Sequence, residues 1–103
     1  MASDPKDGGS VLERKRVKTE KPRQYQVLFH NDDYTTMELV VEILVSIFNK
    51  TETEANHIML TVHHKGVGLA GVYTKDVAET KVMESTELAQ SCGAPLKVTM
   101  EPA

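Results

Sequence analysis

Between residues 24 and 100 the hydrophobic pattern switches repeatedly between the two-residue alternation of a strand and the 3.6-residue repeat of a helix. That succession limits the chain to a mixed fold. Gln24-Tyr25-Gln26-Val27-Leu28-Phe29-His30 is rich in strand formers and runs into a turn cluster, Asn31-Asp32-Asp33. Thr35-Thr36-Met37-Glu38 then has capping-box spacing, a hydroxyl followed three residues on by a carboxylate. Met37, Val40, Val41, Leu44 and Phe48 follow as one helical stripe, which Asn49-Lys50 closes. Thr51-Glu52-Thr53-Glu54 is a second capping box. It opens a helix with the stripe Ala55, Ile58, Met59, Val62, and Gly66 stands where a helix stops.

Val67 to Tyr73 reads as a strand whose glycines predict a bend or bulge. Thr74 is placed to cap a third helix over 75–91, with the weaker stripe Val77, Ala78, Val82, Ala89 and a stop at Gly93. Pro95-Leu96-Lys97-Val98-Thr99-Met100 reads as a last strand. The predicted order is β-α-α-β-α-β. It implies an α+β domain, with three helices packed on one face of a three-stranded, antiparallel sheet.

Composition decides what surrounds that domain. Residues 1–23 hold Pro, Gly, Ser and a charge-dense run with Val11, Leu12 and Val17 as their only strongly apolar side chains besides Met1. Such a stretch buries too little to offset its ordering entropy, so a mobile N-terminal extension is expected before a folded domain at 24–103. Its basic run is interrupted by Glu13 and Glu20 and carries no aromatics, which argues against a nucleic-acid arm. The whole chain of 103 residues has 40% hydrophobic and 26% charged residues and a net charge of −3. Nothing in that balance favours nucleic acid or an anionic membrane as a partner. No apolar run is long enough to span a bilayer, and Met1 to Asp7 does not resemble a secretory signal, so a cytoplasmic monomer is expected.

Catalysis finds little footing. The only cysteine, Cys92, has no apparent His and Asn arrangement, no G-x-S-x-G occurs, and the glycines around Leu69 do not precede a helix. Neither cofactor nor metal is expected. His57 and His63 are out of register for a zinc helix, and adjacent His63 and His64 point about 100° apart. The calcium-loop pattern is absent from Asn31-Asp32-Asp33. By residue type, this cluster is first a strand-to-helix turn. It is also a set of acceptors on which an ammonium group could dock. His63 is first a helix-end surface or capping group; placed four residues after Met59, its ring could also edge an apolar pocket lined by Met59 and Val62. Met37, Met59 and Met83 are ordinary core fillers, or the lining of a pocket that adapts to several shapes.

Several motifs in order go further: Asn31-Asp32-Asp33-Tyr34-Thr35-x-Met37-Glu38, Met59-Leu60-x-Val62-His63, Gly71-Val72-Tyr73-Thr74, Val77-Ala78-Glu79-Thr80-Lys81, Pro95-Leu96 and Thr99-Met100-Glu101. Over about residues 24–101 the chain resembles the ClpS family of proteolytic adaptors. The resemblance implies binding of N-degrons, the bulky first residues (Leu, Phe, Tyr, Trp) of N-end rule substrates, and delivery to a Clp-type AAA+ unfoldase and its peptidase. By matching position, it implies that Asn31, Asp32 and His63 contact the free α-amino group. Thr35, Met37, Val40, Met59, Val62 and Leu96 would line the side-chain pocket. Asp76, Glu79 and Lys81, expected on the exposed face of the third helix, would meet the N-terminal domain of the unfoldase. The extension matches the one that the family needs for delivery. Thr36 stands where the family commonly has Pro, which removes φ preorganisation but no required contact. His30 and Ala70 also replace commoner residues, and the basic character of the extension is not a family signature.

Overall fold

The computed structural model describes residues 22–103. The expected N-terminal extension thus falls outside the described residues, apart from exposed Pro22 and Arg23. Six elements follow: β1 (Gln24–His30), α1 (Met37–Ser46), α2 (Glu52–Lys65), β2 (Val67–Thr74), α3 (Lys75–Ser91) and β3 (Lys97–Pro102). The sheet order is β2-β1-β3, and β1 pairs antiparallel with both neighbours. Fold class and element order match the sequence expectation.

Alternation along β1 places Val27 and Phe29 in the core and leaves Gln26, Leu28 and His30 half-buried on the opposite face. Val98 of β3 and Ala70 of β2 join the core face. The register of β2 slips by one residue opposite Val27 and Leu28, so the expected bulge is present around Ala70. It turns Tyr73 toward the side of Val27, where it packs against the core. All three helices gather on this face. α3 contacts every strand, α2 packs on β2 and α1, and α1 touches both α2 and α3.

α3 approaches the sheet through small side chains, Ala78, Ser85 and Ala89, all fully buried. The buried Ser85 hydroxyl is satisfied by donating to the Lys81 carbonyl one turn back. The expected stripe is therefore corrected: Val77 is exposed and Val82 only partly buried. Thr74 occupies the N-cap of α3, but its side chain makes no capping bond.

α1 differs more. Its buried residues are Leu39, Val40, Ile43 and Leu44, with Phe48 just beyond its end, whereas Met37 is 43% exposed. A helix wedged between two others buries a wider arc than one stripe, running from Leu39 to Phe48 with its centre between Ile43 and Leu44. The N-cap is Thr36, which accepts from the Leu39 N–H at 3.2 Å, and the expected box with Glu38 is not made. Asn49, at φ +57°, ends the segment in the left-handed conformation that Asn tolerates. The second box is present in full. Thr51 Oγ1 accepts from the Glu54 N–H at 3.1 Å, and Glu54 accepts from the Thr51 N–H at 2.9 Å. Gly66, at φ +89°, closes α2 as expected.

Candidate functional site

Two backbone constraints bring the site together. β1 ends at His30, paired with Val67 at the start of β2. The next N–H, of Asn31, donates to the carbonyl of Gly66 at 2.9 Å. The loop after β1 is thereby tied to the C-terminal end of α2, and Asn31, Asp32 and His63 come to one mouth.

Asp32 organises the rest of the loop. Its Oδ1 accepts from the N–H groups of Tyr34 and Thr35, both at 2.7 Å, and its Oδ2 from the Thr35 hydroxyl at 2.7 Å. This is why Thr35 does not cap α1: its hydroxyl is already committed to the carboxylate. Partial burial pushes the Asp32 carboxyl upward, but the bonds from Thr35 and Tyr34 outweigh it and hold the group below its ordinary value. A carboxylate depressed in this way contributes stability above the carboxyl titration range and loses it as pH falls through the folded value.

The resulting pocket is about 440 Å³. Its mouth carries Asn31, Asp32, Asp33, Glu38 and His63, and its apolar wall Met37, Val40, Met59 and Val62. No lysine or arginine lines it. Three carboxylates outweigh the partial positive charge at the start of α1, and the last turn of α2 adds partial negative charge beside Val62 and His63. A cationic group with an attached apolar side chain fits these surroundings. Among the described residues no group of three or more His, Cys, Asp or Glu side chains could hold a metal ion.

The expected residues are brought together with one exception. Asn31, Asp32, Thr35, Met37, Val40, Met59, Val62 and His63 all line the pocket. Leu96 does not; it is buried in the core, 6% exposed. Asp33, expected as one of the turn's acceptors, lines the pocket too, as do Tyr34, Thr36 and Glu38, which were not expected there. Glu38 was legible as an acid at the start of a helix, but nothing in the residue order turned it toward the mouth. On α3, Asp76 and Glu79 are exposed. Lys81 is not on an exposed face: it is half-buried, donates to the Ile47 carbonyl, and its Nζ lies 6.0 and 5.8 Å from the Phe48 and Tyr73 ring centroids. It therefore ties α3 to the end of α1.

Gly68 supports the pocket from beneath. A Cβ at this position would stand 2.6 Å from Cγ2 of Val62, itself only 3% exposed. Gly68→Ala is expected to push Val62 outward, costing about 1–3 kcal/mol of stability. Urea denaturation measures this, and an unchanged midpoint would show that α2 yields freely.

A family model described as "ATP-dependent Clp protease adaptor protein ClpS" matches residues 20–99. The chain belongs to the ClpS family. It is 56% identical over 103 residues to the ATP-dependent Clp protease adapter protein ClpS of Desulfatibacillum aliphaticivorans, covering 99% of both chains. It is likewise 56% identical over 94 residues to the ClpS adapter of Deinococcus radiodurans, covering 91% of this chain and 83% of that one. Among solved structures, Agrobacterium tumefaciens ClpS2 bound to L-phenylalaninamide superposes with a TM-score of 0.78 at 38% identity. That match covers 81% of this chain and all of the other. The family is one of protease adaptors, and the fold agrees with a ClpS structure. No helix among the described residues is long and apolar enough to cross a membrane.

Proposed function

We propose that the pocket binds the N-terminal residue of substrate proteins, taking Leu, Phe, Tyr or Trp, and that the chain delivers them to a Clp-type AAA+ unfoldase. The observation that carries this reading is the pairing of an acidic mouth with an apolar wall in one cavity. The related ClpS2 is bound to L-phenylalaninamide, a molecule that offers a free amine and a benzyl side chain. An α-ammonium, with a reference pKa of about 7.7–8.0, is largely charged at neutral pH. Asp32 would accept the charge-assisted bond, with Asn31 Oδ1 and a neutral His63 ring nitrogen as further acceptors. Protonating His63 would remove its acceptor and repel the ligand. An internal peptide amide has neither the charge nor the extra donors, so chain ends are distinguished from chain interiors.

The wall then sorts by size and shape. Burying a Leu or Phe side chain is worth roughly 1.5–3 kcal/mol, while Ala gains far less. A β-branched first residue would meet the rim at its Cβ. By fluorescence anisotropy, peptides beginning with Phe or Leu should bind at least about tenfold more tightly than the same peptides beginning with Ala. Equal binding would remove the size-sorting claim. For delivery, Asp76 and Glu79 are among the exposed side chains of α3 and are free to meet the unfoldase's N-terminal domain. Lys81 would take part only by giving up its bond to Ile47. The adaptor itself needs no catalytic group, cofactor or metal for this work.

A further inference from the structure

The wall of the pocket does not end at Met37 and Met59. With Glu38, these side chains also border a second cavity of about 610 Å³ between α1 and α2. Val41, Glu42 and Val45 carry it along α1, and Glu52 and Asn56 form its α2 side. Met37, Val41 and Val45 recur at four-residue spacing, so they make one ridge on the helix surface. Met37 and Val45 are 43% and 40% exposed, which leaves that ridge open to solvent.

We propose that this groove carries the stretch of substrate that follows the bound N-terminal residue, and that it selects basic side chains at about the third to fifth positions. The inference rests on reading the neighbouring pocket as the N-terminal residue site, and it adds a determinant to that site. Three observations point to it. The groove adjoins the pocket, since Met37, Glu38 and Met59 line both. Its length suits a short peptide: from Met37 to Ser46 a helix rises about 13–14 Å, which an extended chain crosses in about four residues. Its charge has one sign, for Glu38, Glu42 and Glu52 line it without a single basic residue.

The three acids are not equivalent. Glu38 and Glu52 sit in the first turns of α1 and α2, where the positive helix end offsets part of their charge. Glu42 lies in mid-helix and has no such offset. A lysine or arginine of the substrate can lay its methylene stem along Val41 and Val45 and bring its charged head to Glu42. An acidic substrate side chain in the same place meets repulsion from all three.

The test uses the full chain and a peptide series that begins with Phe and carries Lys, Ala or Glu at positions three to five. At low ionic strength the Lys peptide should bind about five- to tenfold more tightly than the Glu peptide. That ratio should fall below about threefold in a Glu42→Gln, Glu52→Gln double variant, and also in 0.5 M salt, where exposed pairs are screened. Because the readout is a ratio within one protein preparation, partial misfolding of the variant does not imitate it. A flat series, or a preference that both substitutions leave intact, overturns the proposal while the N-terminal residue site stands. Failure of the neutral Phe peptide to bind overturns both. A double variant that keeps the ratio but changes self-association in sedimentation assigns the groove to a second copy of the chain instead.

Discussion

Replacing Asp32 with Ala is expected to weaken binding of a Phe-led peptide by about 1.5–3 kcal/mol, roughly 10- to 150-fold. Under the proposed function its carboxylate makes the charge-assisted bond to the ligand ammonium, and it also holds the loop. The same two oxygens accept from Tyr34, from the Thr35 N–H and from the Thr35 hydroxyl. Loss of Asp32 therefore removes a ligand partner and frees Thr35 at the pocket edge. Asp32→Asn separates the two contributions, since it keeps an acceptor oxygen for the loop but no charge for the amine. Affinity for the Asn variant should lie close to that of the Ala variant if charge dominates. Titration calorimetry on both variants measures this. Unchanged affinity in either would leave Asp32 as a turn former alone.

The largest effect on stability is expected at Phe29. It is fully buried on the central strand, and its ring meets that of Phe48 edge-on, with centroids 5.4 Å apart and planes at 76°. Phe48 in turn lies 6.2 Å from Tyr73 and beneath Lys81. Phe29→Ala removes the ring at one end of this stack and leaves a cavity under α1, at a cost of about 3–5 kcal/mol. For a domain of this size that is a large part of the total stability. The urea midpoint should fall steeply while the m-value holds. A loss below about 1 kcal/mol would mean that the helices collapse onto the sheet without strain.

Much of this arrangement was legible in advance, and the exceptions have physical causes. The strands and α2 follow from alternation, from a complete capping box at Thr51 and Glu54, and from a glycine stop at residue 66. Each of those signals is local, so no distant contact could displace it. The phase of α1 was not local. Met37 and Val41 fit a helical stripe as well as Leu39 and Ile43 do, and only packing against two helices decides which set is buried. The cap of α1 was misplaced for a related reason. A carboxylate three residues upstream competes for the Thr35 hydroxyl, and the helix begins one residue later.

The site itself was partly legible. Residue types placed acceptors at a turn and methionines on two helices, and these do meet in one cavity. Leu96 departs from the family expectation because its side chain is buried in the core. Lys81 departs because the end of α1 and two aromatic rings occupy its charge. The ligand came from resemblance, since an acceptor cluster beside an apolar wall accommodates many amines.

Recognition of a free α-amino group is the central claim, and one matched pair tests it. A Phe-led peptide and its N-acetylated twin differ only in the charge and donors of that group. At neutral pH the free peptide should bind, and the acetylated one should lose at least about 100-fold, as the positive charge and two of the three N–H donors disappear together. Equal affinity of the two peptides in the same titration would contradict the account.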